Sequence, residues 1–269
     1  MKRVINKEKR VVVISDLHCG HMVGLTHPEY QVNYSHSSRT KRNKSAKIQR
    51  DLWEHFEEMV DDLGKVDVLI INGDTIDGKG QRSGGSELIT SDREEQCEMA
   101  VAAIEEFACD NIIMTYGTPY HVGINEDWEN KVAKDLGVKK IGSHEWIDVN
   151  GCIFDVKHKV GSSSVPYSRS TAVAKERFWN LLWNEDEEQP KGDIVIRSHV
   201  HYHSYVGGVN YLAMTTPALQ AMGTKFGSRQ CSGTVDWGLV YFDVDENGGY
   251  SWESKTVKLE AQKARAIKL

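Results

Sequence analysis

Val11-Val12-Val13-Ile14-Ser15-Asp16-Leu17-His18 is an apolar, β-branched run that ends in Asp-x-His. β-branched residues favour extended backbone, and an unbroken apolar run reads as a strand buried on both faces. On a strand, side chains two apart point to one side. Asp16 and His18 are therefore expected together at the strand's C-terminal end, where open α/β sheets place their sites. A hard carboxylate beside an imidazole suits a catalytic transition-metal ion. An Asp-x-His triplet also arises by chance, so the reading needs support from other segments of the chain.

Asp193-Ile194-Val195-Ile196-Arg197-Ser198-His199-Val200-His201-Tyr202-His203 again reads as a strand and then alternating histidines. The same alternation puts His199 and His201 on one side of the extended backbone, with His203 placed for a supporting or surface role. Between these halves, Val66 to Asn72 forms a strand that runs into Gly73-Asp74-Thr75-Ile76-Asp77. Asn111 to Tyr116 leads into Gly117-Thr118-Pro119-Tyr120-His121, and Cys152 to Val156 leads through Lys157 to His158. Five strand-like runs thus each deliver Asp or His at or just past their C-terminal ends.

This ordered set resembles the calcineurin-like metallophosphoesterase superfamily over roughly residues 11–245. That family carries D-x-H, G-D-x-x-D, G-N-H-D/E, a lone His and G-H-x-H. Here Asp16 and His18 match the first motif, Asp74 and Asp77 the second, His158 the lone His, and His199 and His201 the last, with Ser198 in place of its Gly. The third motif departs, because Gly117-Thr118-Pro119-Tyr120-His121 stands where G-N-H belongs. A G-T-x-x-H variant is similar to a subgroup associated with bacteriophage and prophage genes. The resemblance implies a four-layer α/β/β/α sandwich of two mixed sheets flanked by helices. It also implies two divalent metal ions, Mn²⁺ first and Fe, Zn or Ni as alternatives. The first ion is assigned to Asp16, His18 and His201, the second to His158 and His199, with Asp74 bridging. Asp77 and Thr118 stand behind the ligands, and a metal-bridging hydroxide attacks phosphorus. His121 is the candidate proton donor, with a ligand role for it left open.

Composition is that of a globular protein: 269 residues, 39% hydrophobic and 27% charged, with a net charge of −6. One α/β sandwich domain over residues 1–269 accommodates this length, with a core at about 11–245 and terminal strands and tail beyond it. No apolar run approaches the roughly 20 residues of a membrane span. The charged start Met1-Lys2-Arg3 lacks the apolar stretch of a signal peptide, so a cytoplasmic protein without membrane contact is expected. Five scattered cysteines without a C-x-x-C pair read as reduced thiols. Cys19 follows His18, and its side chain is expected to point away from Asp16 and His18.

The acidic balance argues against a broad duplex-binding face. Locally, Arg39 to Arg50 holds Arg39, Lys41, Arg42, Lys44, Lys47 and Arg50 with no acidic residue. It reads either as a solvated helix start or as a phosphate contact near the site. Ala46 to Leu63 shows helical spacing, Asp92 opens a helix toward Cys109, and Asp127 to Leu136 is a short helix stopped by Gly137. A further helix opens at Ser168 or Ser170, and on it Trp179 and Trp183 are expected to pack into the core. Beyond Tyr202 the pattern becomes β-meander, with Asp245 to Gly249 as a hairpin turn.

The leading expectation is a metal-dependent phosphoester hydrolase, a phosphodiesterase or phosphatase. A metal-dependent nuclease of the same superfamily is the alternative, favoured by the basic segment, so nucleic acid stays open as a partner. A non-catalytic binding module is the reading from a different class; such members lose metal ligands, whereas here only the Asn position differs. The oligomeric state is not readable from the sequence.

Overall fold

The computed structural model describes residues 7–32, 41–123, 126–222, 233–260 and 266–268, with the side chains of 41–44 outside the description. The opening apolar run is strand β1 (Lys9–Ile14). Val11 and Val13 face one way and Val12 and Ile14 the other, and all four are buried. Both faces are covered, which is why the run carries no polar alternation.

β1 pairs in parallel with β2 (Val68–Asn72), which pairs in parallel with β3 (Ile112–Thr115) and then β4 (Lys140–Gly142). On its other edge β1 pairs antiparallel with β10 (Trp237–Val244), which forms a hairpin with β11 (Tyr250–Val257). The first sheet is thus mixed, with order β11-β10-β1-β2-β3-β4. The second sheet has order β5-β6-β7-β9-β8, from β5 (Glu145–Val149), β6 (Cys152–Val156), β7 (Ile194–Arg197), β8 (Ser204–Gly208) and β9 (Tyr211–Thr215). β6, β7 and β9 run parallel, and the two edges are antiparallel.

The sheets face each other across one apolar layer. Val11, Val13, Ile70 and Phe242 from the first meet Phe154, Val156, Ile196 and Met214 from the second. Phe154 and Phe242 contact edge to face at 5.1 Å. The outer face of the first sheet is covered by α1 (Lys41–Leu63), α2 (Arg93–Glu105) and α4 (Glu129–Asp135), through Leu52, Phe56, Ala100, Ile104 and Val132. A short turn of helix, α3 (Pro119–Val122), lies between β3 and α4. α5 (Arg169–Glu185) covers the second sheet through a small cluster of Val173, Val195 and Ala213. The result is the expected α/β/β/α order of layers.

Two expectations need correction. Trp179 and Trp183 do not enter the core: they are 56% and 40% exposed, because α5 turns Val173, Arg177 and Asn180 toward the sheet instead. α1 begins at Lys41, earlier than the apolar spacing from Ala46 implies. Arg39 and Thr40 lie outside the described residues, as do the side chains of Lys41, Arg42 and Lys44, so the basic segment acquires no structural role here. Asp92 caps α2 as expected, accepting from the Glu94 N–H at 2.9 Å.

Removing the Phe154 ring leaves a cavity where both sheets meet. Phe154→Ala is expected to lower unfolding free energy by about 3–5 kcal/mol, read as a lower urea midpoint at unchanged m-value. A loss under about 1 kcal/mol would mean that the layer between the sheets is not the dominant core.

Candidate metal centre

The site forms where chain segments leave the C-terminal ends of β1, β2, β3, β6 and β7. Its assembly differs from the sequence expectation. β1 stops at Ile14 and β7 at Arg197, so strand pleating does not bring Asp16 to His18 or His199 to His201. The backbone instead turns left-handed at Asp16 (φ 52°), His18 (φ 46°), Asp74 (φ 53°), His199 (φ 75°) and His201 (φ 55°). Such φ values are rare outside Gly, with Asp and His among the better tolerated, and cost roughly 1–3 kcal/mol each when the surroundings enforce them.

The surroundings do enforce them. The two loops past β1 and β2 are zipped by Asp16 N–H to Gly73 O, His18 N–H to Asp74 O and Cys19 N–H to Thr75 O, each at 3.0 Å. Ser198 N–H bonds His158 O at 2.8 Å and ties the ends of β7 and β6. Ser198, the residue that departs from the G-H-x-H pattern, accepts from Asn72 Nδ2 at 2.6 Å and meets Thr216 Oγ1 at 2.7 Å.

These turns converge the predicted residues into three groups whose donor atoms lie within 4.8 Å of one another: Asp16/His18/His201, Asp74/His158/His199, and His18/Asp74/His121. His201 Nε2 is 3.3 Å from Asp16 Oδ1 and 3.3 Å from His18 Nε2. His158 Nε2 is 3.1 Å from Asp74 Oδ2 and 4.0 Å from Asp16 Oδ1. His158 Nδ1 donates to Asn72 O at 2.7 Å, which aims Nε2 inward. His199 and Asp16 are joined through the His199 N–H, which donates to Asp16 Oδ2 at 3.2 Å.

Among the described residues, two buried atoms in this cluster find no hydrogen-bond partner, Asp16 Oδ1 and His158 Nε2. His158 Nε2 lies 3.1 Å from Asp74 Oδ2 as an ion pair. Buried polar atoms are normally paired. Carboxylate oxygens and imidazole nitrogens that converge in this way fit a divalent cation, which would displace the imidazole proton.

The electrostatics agree. Burial pushes the Asp16 carboxyl up, but the charge of His201 outweighs it and holds the group below the usual carboxylate range. Asp74 is likewise held low against burial by His158. Burial opposes the charge on His158, yet Asp74 wins and raises it to about 10. Burial and then His121 push His18 down to about 4. Burial raises Asp77, but the hydrogen bond to His18 keeps it down at about 2.

Asp77 and Thr118 touch the cluster from behind. Asp77 Oδ1 meets His18 Nδ1 at 3.1 Å, and His121 Nδ1 donates to the Asp77 carbonyl at 2.9 Å. Thr118 donates its N–H to Asp74 Oδ1 at 2.6 Å and directs Oγ1 to both Asp74 oxygens at 3.1 Å. Gly117 makes this approach feasible: a Cβ there would lie 2.2 Å from Asp74 Oδ1. His203 stands apart, with Nδ1 on Thr215 O at 2.8 Å and its ring near Tyr205 and Trp252. Cys19 is buried in the apolar layer under the helices, away from the ligand groups.

Sequence reading missed Glu129. This fully buried carboxylate accepts from Thr75 N–H at 3.0 Å, Thr75 Oγ1 at 3.1 Å and Gly117 N–H at 2.6 Å, tying the Asp74 loop to the Thr118 loop. Nothing in the sequence separates it from exposed Glu126 except its place on the apolar stripe of α4.

The family model for calcineurin-like phosphoesterases matches residues 9–245, which contain every residue of this cluster. The chain belongs to the calcineurin-like phosphoesterase family. Among solved structures it is similar to a novel archaeal phosphodiesterase, at 12% identity over 91% of this chain and 99% of that one with TM-score 0.44. It is also similar to wild-type Vps29 complexed with zinc from Entamoeba histolytica, at 9% identity over 92% and 98% with TM-score 0.41. A third is a predicted phosphoesterase from Streptococcus pneumoniae, at 14% identity over 92% and 98% with TM-score 0.37. No curated protein matches the chain.

Glu129 yields a test. Burial and then the charge of Asp74 raise its pKa from 4.5 to about 7. A carboxyl raised in the folded state stabilises most below its unfolded pKa, and that contribution is lost as pH rises through the folded value. Chelator-treated protein should therefore lose stability through this group as pH rises from 4.5 to about 7, and Glu129→Gln should remove that slope. At pH 7 the Gln amide faces only donors, so the variant should be less stable by about 1–3 kcal/mol. Parallel stability–pH curves for the two proteins would rule this account out.

Proposed function

We propose that this chain is a dinuclear metal-dependent phosphoester hydrolase that favours small phosphodiesters. The observation that carries the reading is the pair of donor groups Asp16/His18/His201 and Asp74/His158/His199, gathered around orphaned Asp16 Oδ1 and His158 Nε2. In this reading Asp16, His18 and His201 would hold one ion, His158 and His199 would hold the other, and Asp74 would serve both. Bound divalent ions, with Mn²⁺ first, supply Lewis acidity to the phosphoryl oxygens and acidify a water for in-line attack.

The chain's own residues do the rest. His158 is oriented for binding by its Nδ1–H bond to Asn72 O, which keeps Nε2 as the donor atom. Asp77 orients His18 through one carboxylate oxygen and His121 through its carbonyl. With Nδ1 so engaged, His121 presents Nε2 to the leaving group and delivers the proton there. Thr118 fixes Asp74 through two donors, and so acts on the site through Asp74.

The cavity beside the cluster supports an organic leaving group. It has a volume of about 300 Å³, and its lining includes Asp77, His121 and His201 together with Val23, Tyr120 and Met222. Arg82 lies over the Tyr120 ring at 4.7 Å and also lines this space. An apolar and aromatic wall next to the ligands suits the second ester group of a diester better than the free oxygen of a monoester.

Purified protein should carry two ions per chain by metal analysis, lose activity with EDTA and regain it with Mn²⁺. Bis-p-nitrophenyl phosphate should be cleaved faster than p-nitrophenyl phosphate. Asp74→Ala should lower both metal content and rate, the latter by about a hundredfold or more. Full activity in EDTA with no metal retained would dispose of the proposal.

His121→Asn separates two roles. As proton donor, His121 should be dispensable for metal content, and its loss should slow esters with poor leaving groups by about 10²–10⁴-fold while sparing p-nitrophenyl esters. Reduced metal occupancy with equal slowing of every ester would make His121 a ligand, a role its grouping with His18 and Asp74 permits. Normal rates on all esters would exclude both.

A further inference from the structure

Among the described residues, nothing covers one apolar face of α5. Phe178 is 69% exposed, Trp179 56%, Leu182 57% and Trp183 40%, while only Val173, Arg177 and Asn180 of this helix are buried. Leu181 adds a further exposed apolar side chain. At about 150–250 Å² per large aromatic side chain, these five residues leave roughly 500 Å² of contiguous apolar surface open. A patch of that size matches the largest on a typical monomer, and such patches are often functional.

The order of residues on this face identifies what fits it. Lys175, Trp179, Leu182 and Asp186 follow a 4-3-4 spacing, the seam of a helix pair. A cation closes one end of the seam, an anion closes the other, and Trp179 and Leu182 lie between. If a second α5 runs antiparallel about a two-fold axis between Asn180 and Leu181, Trp179 meets Leu182 of the copy and Leu182 meets its Trp179. Lys175 then meets Asp186 of the copy, twice by symmetry, and Phe178 and Trp183 flank the seam. A parallel pairing instead sets Lys175 against Lys175 and Asp186 against Asp186. The acidic run Glu185-Asp186-Glu187-Glu188 reinforces the choice, because antiparallel packing brings it beside Lys175 and away from its own counterpart. Among the described residues none of these charges makes an ion pair within the chain.

We propose that the chain forms an isologous dimer through α5, with two α5 helices packed antiparallel around Trp179 and Leu182 and closed by Lys175–Asp186 pairs. The roughly 500 Å² on each copy gives about 1,000 Å² in total, the lower bound of a specific interface, so the dimer is a reversible one. In a two-fold contact residue i meets residue j and j meets i, so opposite charges at the two ends of one seam complement each other twice.

Sedimentation velocity of the full chain over a micromolar to submillimolar dilution series tests this. A concentration-dependent monomer–dimer equilibrium is expected. Lys175→Glu should raise the dissociation constant by about tenfold or more, since it opposes like charges twice. The double swap Lys175→Glu/Asp186→Lys should restore it. Both changes lie on the exposed surface, so the rescue reads pairing and not folding. Trp179→Glu should abolish the dimer with circular dichroism unchanged. A wild-type chain that stays monomeric throughout the series overturns the proposal. So does a dimer that withstands Trp179→Glu, or one in which the double swap is as weak as the single substitution.

Discussion

Two carboxylates, Asp16 and Asp74, are buried to 0% and 1% exposure within reach of each other's histidines, and the site is arranged around that charge. An uncompensated buried carboxylate is among the costliest groups a protein can hold. The fold answers with His18, His158, His199 and His201, whose nitrogens converge on the carboxylate oxygens, and with the Thr118 N–H and hydroxyl on Asp74. Asp16 and Asp74 remain charged because His201 and His158 hold them so; without a cation those imidazoles must carry the compensating protons. A divalent ion held there, as proposed, would take over that role, and the burial of these carboxylates then reads as a ligand cradle.

The strands and their apolar runs were legible because both faces of β1, β2 and β7 are buried, and a run such as Val11 to Ile14 gains its meaning from the later runs that also end in Asp or His. The identity of the clustered residues was legible for the same reason: each follows a strand in order. The mechanism of convergence was not. Alternation along an extended strand predicts that Asp16 and His18 share a side, but the chain has left the strand by then, and left-handed turns at both residues do the work. Dihedral angles at Asp and His cannot be read from residue type, because neighbours that enforce them, such as Gly73 O on the Asp16 N–H, come from another strand.

Trp179 and Trp183 were illegible for a different reason. Helical spacing says that two residues share a face, not which way that face points. On α1 the apolar stripe meets the broad first sheet, with Leu52 and Phe56 buried. On α5 the side that meets the second sheet is set by Val173, with Arg177 and Asn180 bonding Gly192 and Pro190 backbone carbonyls. Arg177 and Asn180 look solvent-facing in sequence, and the aromatic residues look buried; the structure reverses both.

The clustered Asp and His residues come from two separate sheets, so their spacing depends on the sheets holding register with each other. An apolar layer alone is poorly directional. Beneath the site the sheets are joined by directional bonds instead. Asn72 on the first sheet donates to Ser198 and to Lys157 O on the second, and its Oδ1 accepts from Thr115 Oγ1 at 2.5 Å. Thr216 Oγ1 then links Ser198 to Ser15, the residue that precedes Asp16. Asn72, Ser198, Lys157 and Ser15 each sit one or two residues from Asp16, Asp74, His158 or His199, so the network fixes the loop bases from which the donors project. A Gly at position 198 would remove the hydroxyl that joins Asn72 to Thr216. The Ser there is therefore an added inter-sheet bond in this chain, and this one departure from the family pattern falls on the scaffold beneath the clustered Asp and His residues.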